Sequence, residues 1–183
     1  SQPLPAAVSC RPAFVYDKKE NDFWLVLGLE DGSIQYHGTA LGKTRRSVPS
    51  ARKEPVRGLA VLTEHQDTAL VALDAAGLWG INRSGDTVFE TPLENGTGLA
   101  RAHVHGAAQI VVSGADGVLT AFNGAGQRLW RETRPAGPVQ TALVPANLEG
   151  DTVMEGVYTA ADRTVRVLEL GSGPGNGLAR LRA

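Results

Sequence analysis

The sequence has one cysteine, Cys10, and few aromatic residues, with three Trp, three Tyr and four Phe in 183 residues. A lone cysteine excludes an internal disulfide framework and a zinc site built from several cysteines. No stretch approaches the ~18 consecutive apolar residues that would cross a bilayer. The net charge is -1, from 18 basic and 19 acidic residues, so any attraction to nucleic acid or an anionic membrane would have to be local.

The apolar runs are short, rich in β-branched residues and bounded by Gly or Asp, which is typical of strands. A turn signal and a second short run follow each of them, and this order predicts β-hairpins. No segment longer than ten residues shows a helical apolar stripe. The sequence therefore predicts one all-β domain over residues 1–183. The runs are 23–29, 68–74, 109–115 and 152–160.

The predicted hairpin turns recur at a nearly constant spacing. They align on Gly32, Gly77, Gly117 and Arg163, which are 45, 40 and 46 residues apart. Each interval has room for four strands, and this period is the size of one propeller blade. A blade buries little on its own, so adjacent blades must stack their faces to form a core.

A second set of positions recurs at almost the same spacing. Gly58, Gly98, Pro138 and Gly177 are 40, 40 and 39 residues apart. The two registers together predict approximate units at 10–55, 56–95, 96–136 and 137–176, with 177–183 starting a further blade or closing the last one.

Two units carry a common motif, in which Asn and Gly form a turn and an aromatic residue follows on the outer strand. In one unit the motif residues are Ala121, Asn123, Gly126 and Trp130. In the unit before it they are Asn82, Gly85 and Phe89. Asn and Gly accept the left-handed conformation of a turn, and a large ring can pack between neighbouring blades.

Over residues 68–135 this motif resembles the repeat of PQQ-like and WD40-like β-propellers. The resemblance implies about four blades of four antiparallel strands, arranged as a segment of a larger propeller, a half-ring that pairs with a second copy, or a small closed ring. In the repeats of the quinone-binding enzymes, an Asp stands in place of the Asn of this motif and one more residue separates it from the Gly. No cofactor is therefore expected. The first unit has no aromatic after its Gly turn, and the fourth has no clear outer strand.

No catalytic constellation is evident in the sequence. His103 and His105 alternate in a predicted strand and would share a face, but two ligands do not make a metal site. Asp31 and Asp116 precede Gly at predicted turns, where a turn-forming role accounts for them. The sequence therefore predicts neither an enzyme nor a metal site.

One stretch is strongly basic, with Glu54 as its only acid. It contains no aromatic residue on which bases could stack, so a nucleic-acid partner is not favoured. A solvated loop between the first two units, or a patch for an anion or an acidic partner, both fit the pattern. The basic residues are Lys43, Arg45, Arg46, Arg52, Lys53 and Arg57.

The resemblance implies a non-catalytic scaffold that binds a protein partner through the loop face of its blades. Two alternatives remain open: a fragment of a propeller enzyme similar to quinoprotein dehydrogenases or propeller lyases, and a ligand-sensing domain of a signalling protein. Exposed blade edges also predict self-association. Fold alone does not separate these functions.

Overall fold

A computed structural model describes residues 3–17, 21–38, 44–49, 52–62, 68–133, 139, 143–148 and 154–170. Within these ranges there are fifteen β-strands and no helix, and so no helix that could cross a membrane. The strands are β1 Ala13–Asp17, β2 Asp22–Gly28, β3 Ile34–Gly38, β4 Thr44–Val48, β5 Gly58–Val61, β6 Leu70–Leu73, β7 Gly77–Ile81, β8 Thr87–Pro92, β9 Gly96–Val104, β10 Ala107–Gly114, β11 Val118–Phe122, β12 Arg128–Thr133, β13 Val144–Ala146, β14 Glu155–Thr159 and β15 Val165–Glu169.

The strands form four antiparallel sheets, and in each sheet the spatial order of strands is their order in the chain. Sheet 1 contains β1 to β4, sheet 2 contains β5 to β8, sheet 3 contains β9 to β12, and sheet 4 contains β13 to β15. This confirms the prediction of an all-β fold made of successive four-stranded antiparallel units. The residues that follow β15 from 171 onward, where the fourth unit would end, lie outside the described ranges.

The second and third strands of each sheet are joined by a turn, and a residue with positive φ lies in that turn or, in sheet 2, directly after it. These residues are Gly32, Gly77, Gly117 and Arg163, with φ of 81°, 144°, 79° and 65°. They are the four positions on which the sequence repeat aligns. The left-handed conformation that a tight turn requires is therefore the physical origin of that spacing.

The chain divides into two compact units, Ser1–Leu93 and Glu94–Ala183. In unit 1, sheet 1 packs on sheet 2 through a core of aliphatic and aromatic side chains from both sheets. The rings of Trp24 and Tyr36 meet edge to face there, with their centroids 6.0 Å apart. The buried members are Val26, Ile34, Tyr36, Val48, Val56, Leu70, Ala72, Trp79 and Ile81.

In unit 2, sheet 3 packs on sheet 4 in the same way. Beside β14 of sheet 4, the Leu143 side chain lies against Gly156, where a Cβ atom would be only 2.5 Å from it. The buried members of this core are Ala100, Ala102, Val104, Val111, Leu119, Ala121, Val139, Leu143, Tyr158, Ala160, Leu168 and Leu170.

Candidate protein-binding surface

The motif residues Asn82 and Asn123 build the turns between the third and fourth strands of sheets 2 and 3. The Asn82 Oδ1 atom accepts a hydrogen bond from the Asp86 backbone N–H at 2.9 Å, and Asn123 Oδ1 accepts one from Gln127 N–H at the same distance. Gly85 and Gly126 have φ of 93° and 77° within these turns. Both turns are therefore closed by the same side-chain and backbone interactions.

The motif aromatics lie on the fourth strands, opposite small residues. Phe89 pairs with Gly80 and Trp130 pairs with Ala121, in each case directly before a shift in strand register. A Cβ atom at Gly80 would overlap the Phe89 ring. The indole of Trp130 donates a hydrogen bond to Gln109 Oε1 at 3.3 Å.

In sheet 1 the equivalent cross-strand pair is Tyr36 and Arg46, which also precedes a register shift. The Arg46 guanidinium lies over the Tyr36 ring at 5.4 Å and donates a hydrogen bond to the Arg83 carbonyl in the turn of sheet 2. Burial raises the pKa of Tyr36 to about 12, against the opposing effect of the Arg46 charge. One residue of the predicted basic patch therefore bridges two sheets.

Arg52, another residue of that patch, binds two carboxylates of sheet 2. Its guanidinium lies 3.4 Å from Asp74 Oδ1 and also pairs with Glu90. The hydrogen bond that Arg52 donates to the Glu90 carboxylate is the main cause that raises the pKa of Arg52. Asp74 is only 1% exposed, and its Oδ1 atom also accepts hydrogen bonds from the backbone N–H groups of Ala76 and Gly77.

The segment that connects sheets 1 and 2 is tied by its backbone to both hairpins. Val56 N–H donates to the Leu29 carbonyl at 3.2 Å, and Arg57 N–H donates to the Leu73 carbonyl at 2.7 Å. The Val56 carbonyl in turn accepts a hydrogen bond from Ser9 Oγ at 2.6 Å. Because Leu29 directly follows β2 and Leu73 ends β6, the segment lies across the ends of sheets 1 and 2 that carry the Gly32 and Gly77 turns.

These contacts define an exposed surface of mixed charge, which we call the linker surface. Lys53 has a φ of 56°, a conformation that a non-glycine residue adopts only when its surroundings hold it there. Lys43 and the side chain of Arg45 lie outside what the structure describes. The exposed residues of the linker surface are Glu30, Asp31, Lys53, Glu54, Pro55 and Arg57.

The expectation that His103 and His105 share a strand face is wrong. His103 lies on β9, but His105 has a φ of 49° and occupies the two-residue turn to β10 together with Gly106. The following glycine is the sequence signal for that turn. In the part of the chain that the structure describes, no three His, Cys, Asp or Glu side chains are grouped so that they could hold a metal ion.

Asp74 and Glu90 are polar residues of this region that sequence reasoning did not single out. Asp74 directly follows the apolar strand β6, and an acid in that position is a recognisable turn signal. Glu90 lies on a strand whose exposed positions alternate with half-buried ones, and nothing in its sequence context identifies its ion pair with Arg52.

No protein-family model and no curated protein matches the sequence. The structure is similar to that of BBS1N in complex with ARL6DN, with a TM-score of 0.71 and 18% identity over 94% of this chain and 54% of that chain. It is also similar to BamB from Moraxella catarrhalis, with a TM-score of 0.60 and 21% identity over 95% and 50% of the two chains. A third similar structure is U3-55K, with a TM-score of 0.65 and 16% identity over 94% and 52%.

At these identities the similarity concerns the fold. The sheets are propeller-type blades, and the chain spans about half the length of the solved structures that it matches.

Proposed function

We propose that this protein is a non-catalytic propeller-type scaffold that binds a protein partner through the linker surface. The observation that carries the proposal is the attachment of the linker backbone to Leu29 and Leu73, which holds exposed charged residues on the turn ends of two packed sheets. The similar structure of BBS1N, a complex with ARL6DN, supports a protein partner for this fold.

A surface held in this way favours binding because little conformational entropy is lost when a partner docks. Lys53 and Glu54 are adjacent and exposed, and they present opposite charges to the partner. Charged groups at the rim of an interface act mainly on the association rate and on the choice of partner. We therefore expect an association that is faster at low salt and is sensitive to the sign of these charges.

The test compares two variants with the same change in charge. Lys53→Glu alters the linker surface, and Arg83→Glu alters an exposed position in the Asn82–Asp86 turn, at the opposite end of sheet 2. Each variant and the wild type are immobilised, exposed to an extract of the source organism, cross-linked and compared by quantitative mass spectrometry.

We expect one protein of the extract to be retained equally by the wild type and by Arg83→Glu, and about tenfold less by Lys53→Glu. This difference corresponds to a loss of about 1.4 kcal/mol in binding free energy. Binding of that purified protein must then show the same order, with an association rate that falls as salt is added. Equal retention by all three proteins would contradict the proposed surface, and the absence of any specifically retained protein would contradict the scaffold function.

A further inference from the structure

Three Asn residues of the chain directly precede a Gly: Asn95, Asn123 and Asn176. Because Gly has no side chain, its backbone nitrogen is poorly shielded, and it can attack the side-chain amide of the preceding Asn and expel ammonia. Asn176 lies outside the described ranges. The structure therefore shows the surroundings of this reaction at Asn95 and at Asn123.

At Asn123 the side-chain amide is held at both of its polar atoms. Asn123 Oδ1 accepts hydrogen bonds from the backbone N–H groups of Ala125 and Gln127, at 3.0 and 2.9 Å. Asn123 Nδ2 donates a hydrogen bond to Gln127 Oε1 at 2.9 Å. These partners lie beyond Gly124 in the same turn, so the Asn123 Cγ atom cannot swing toward the Gly124 nitrogen unless the turn opens.

At Asn95 the side-chain amide is exposed and is not held. Asn95 has a φ of 62°, and its backbone carbonyl accepts a hydrogen bond from Ala115 N–H at 2.8 Å. Among the residues that the structure describes, none forms a hydrogen bond with the Asn95 side chain. Its Cγ atom can therefore rotate about the Cα–Cβ bond while the backbone stays in place.

The attacking nitrogen beside Asn95 lies at the end of a strand. Gly96 is the first residue of β9 and pairs with Gly114, beyond the register shift that separates Ser113 from Gly114. Strand ends open locally at a small fraction of the free energy of global unfolding. The Gly96 nitrogen therefore becomes accessible to the Asn95 side chain without loss of the sheet.

We propose that Asn95 is a site of spontaneous deamidation in the folded protein, whereas Asn123 is protected. The Gly96 nitrogen forms a bond to Asn95 Cγ, its proton is transferred to the leaving amino group, and ammonia departs. Water then opens the resulting succinimide ring at either carbonyl, which gives Asp or isoaspartate. Water is the only other reactant, and each chain that reacts gains a negative charge at neutral pH.

The two products differ in their effect on the backbone. Asp leaves the main chain unchanged, so the hydrogen bond from Ala115 N–H is retained. In isoaspartate the main chain passes through the former side-chain carbons, and the carbonyl that Ala115 N–H binds becomes a carboxylate outside the main chain. We therefore expect isoaspartate, but not Asp, to weaken the attachment of this residue to the turn between β10 and β11.

The first measurement follows both sites during incubation of the purified protein at neutral pH and physiological temperature. Trypsin, used at mildly acidic pH, releases the peptides 84–101 and 102–128, which contain Asn95 and Asn123 as their only Asn. Deamidation raises the mass of a peptide by about 1 Da. We expect the folded protein to react at least about tenfold faster at Asn95, because reaction at Asn123 requires several hydrogen bonds to break first.

Synthetic peptides with the same two sequences are the reference, since neither Asn is held in an unfolded chain. Their rates should agree within about twofold. Asn95→Gly is the matched control, because it accepts the left-handed conformation but has no amide to lose, and its peptide 84–101 should keep its mass. Equal rates at the two sites in the folded protein would overturn the proposal, and so would a ratio that is the same in the free peptides.

The second measurement tests the consequence for the fold. In an Asn176→Gln background, the aged chains that contain isoaspartate are separated by ion exchange and identified by fragmentation of the peptide 84–101. We expect their Tm to be about 3 °C below that of the unaged protein, and that of Asn95→Asp to differ by less than about 1 °C. An equal fall in both would show that the charge, and not the displaced carbonyl, is responsible, which would contradict the role given to the hydrogen bond from Ala115.

Discussion

Sheets 1 and 2 differ in the residues that pair between their third and fourth strands. Both have a cross-strand pair directly before the register shift between their third and fourth strands. In sheet 2 the pair is Gly80 and Phe89, with the ring on the fourth strand. In sheet 1 it is Tyr36 and Arg46, with the ring on the third strand and a guanidinium stacked on it. In both sheets the pair thus contains one aromatic ring, on the third strand in sheet 1 and on the fourth strand in sheet 2.

The difference indicates that the two residues of each pair depend on each other's size and shape. Phe89 fits because Gly80 has no side chain, and Arg46 fits because its planar guanidinium can lie flat on the Tyr36 ring. A change in one member should therefore be tolerated only if the other member changes with it.

The largest expected effect is that of Gly80→Val. The new side chain would overlap the Phe89 ring within a packed sheet, and we expect a loss of about 3 kcal/mol in the free energy of unfolding, measured with urea. Gly106→Ala is the control. Gly106 has a φ of 79° and open space around it, so only the left-handed conformation is penalised, by about 1 kcal/mol.

The double variant Gly80→Val with Phe89→Ala tests the pairing itself. If the two residues share one volume, the double variant should be more stable than the sum of the two single effects predicts, by about 1 kcal/mol or more. Additive effects would show that the overlap is relieved elsewhere, and the comparison between the sheets would then lose its basis.

The turn aspartates of the same two sheets differ as well. Asp74 is buried and accepts hydrogen bonds from two backbone N–H groups and Arg52, whereas Asp31 is exposed and accepts hydrogen bonds from the backbone and hydroxyl of Ser33. We expect Asp74→Ala to cost about 2 kcal/mol, because buried donors lose their acceptor. Asp31→Ala should cost no more than about 0.5 kcal/mol. Thermal unfolding of the two variants measures both, and equal losses would contradict this account.

The sequence predicts the fold better than the site, and particular residues show why. The turns at Gly32, Gly77 and Gly117 are local, so their residue types reveal them directly. The motif does not identify Tyr36 as the aromatic residue of the first unit, because it places the ring on the next strand. The register that places it opposite Arg46 is a tertiary property.

The basic stretch illustrates the same limit. Its charges are evident in the sequence, but Arg46 and Arg52 are long side chains whose partners come from another sheet, 37 and 38 residues away in the cases of Arg83 and Glu90. Such partners depend on how the sheets pack. The use of this stretch as a site for an anion or an acidic partner stays a prediction, now centred on Lys53 and Arg57.

Arg46→Met should remove the bridge between sheets 1 and 2 while retaining much of the apolar contact with Tyr36. We expect a loss of about 1 to 2 kcal/mol in the free energy of unfolding, from the hydrogen bond to the Arg83 carbonyl and the stacking on the ring. Arg128→Met, at an exposed position of β12, is the control and should change stability by less than about 0.5 kcal/mol. A similar loss in both variants would mean that Arg46 acts only through its charge.

The smallest effect at neutral pH concerns the Tyr36 hydroxyl, which is protonated there in both folded and unfolded chains. Burial raises its pKa from 10.0 to about 12, so between these values the folded chain holds a proton that the unfolded chain releases. The stability from this group is complete below pH 10 and declines as the pH rises toward 12. Tyr36→Phe should flatten the decline, and the difference in tyrosinate absorbance between wild type and variant measures the pKa. Arg46→Met should raise that pKa further, because the nearby positive charge lowers it; an unchanged value would show that the stacked guanidinium does not act on the hydroxyl.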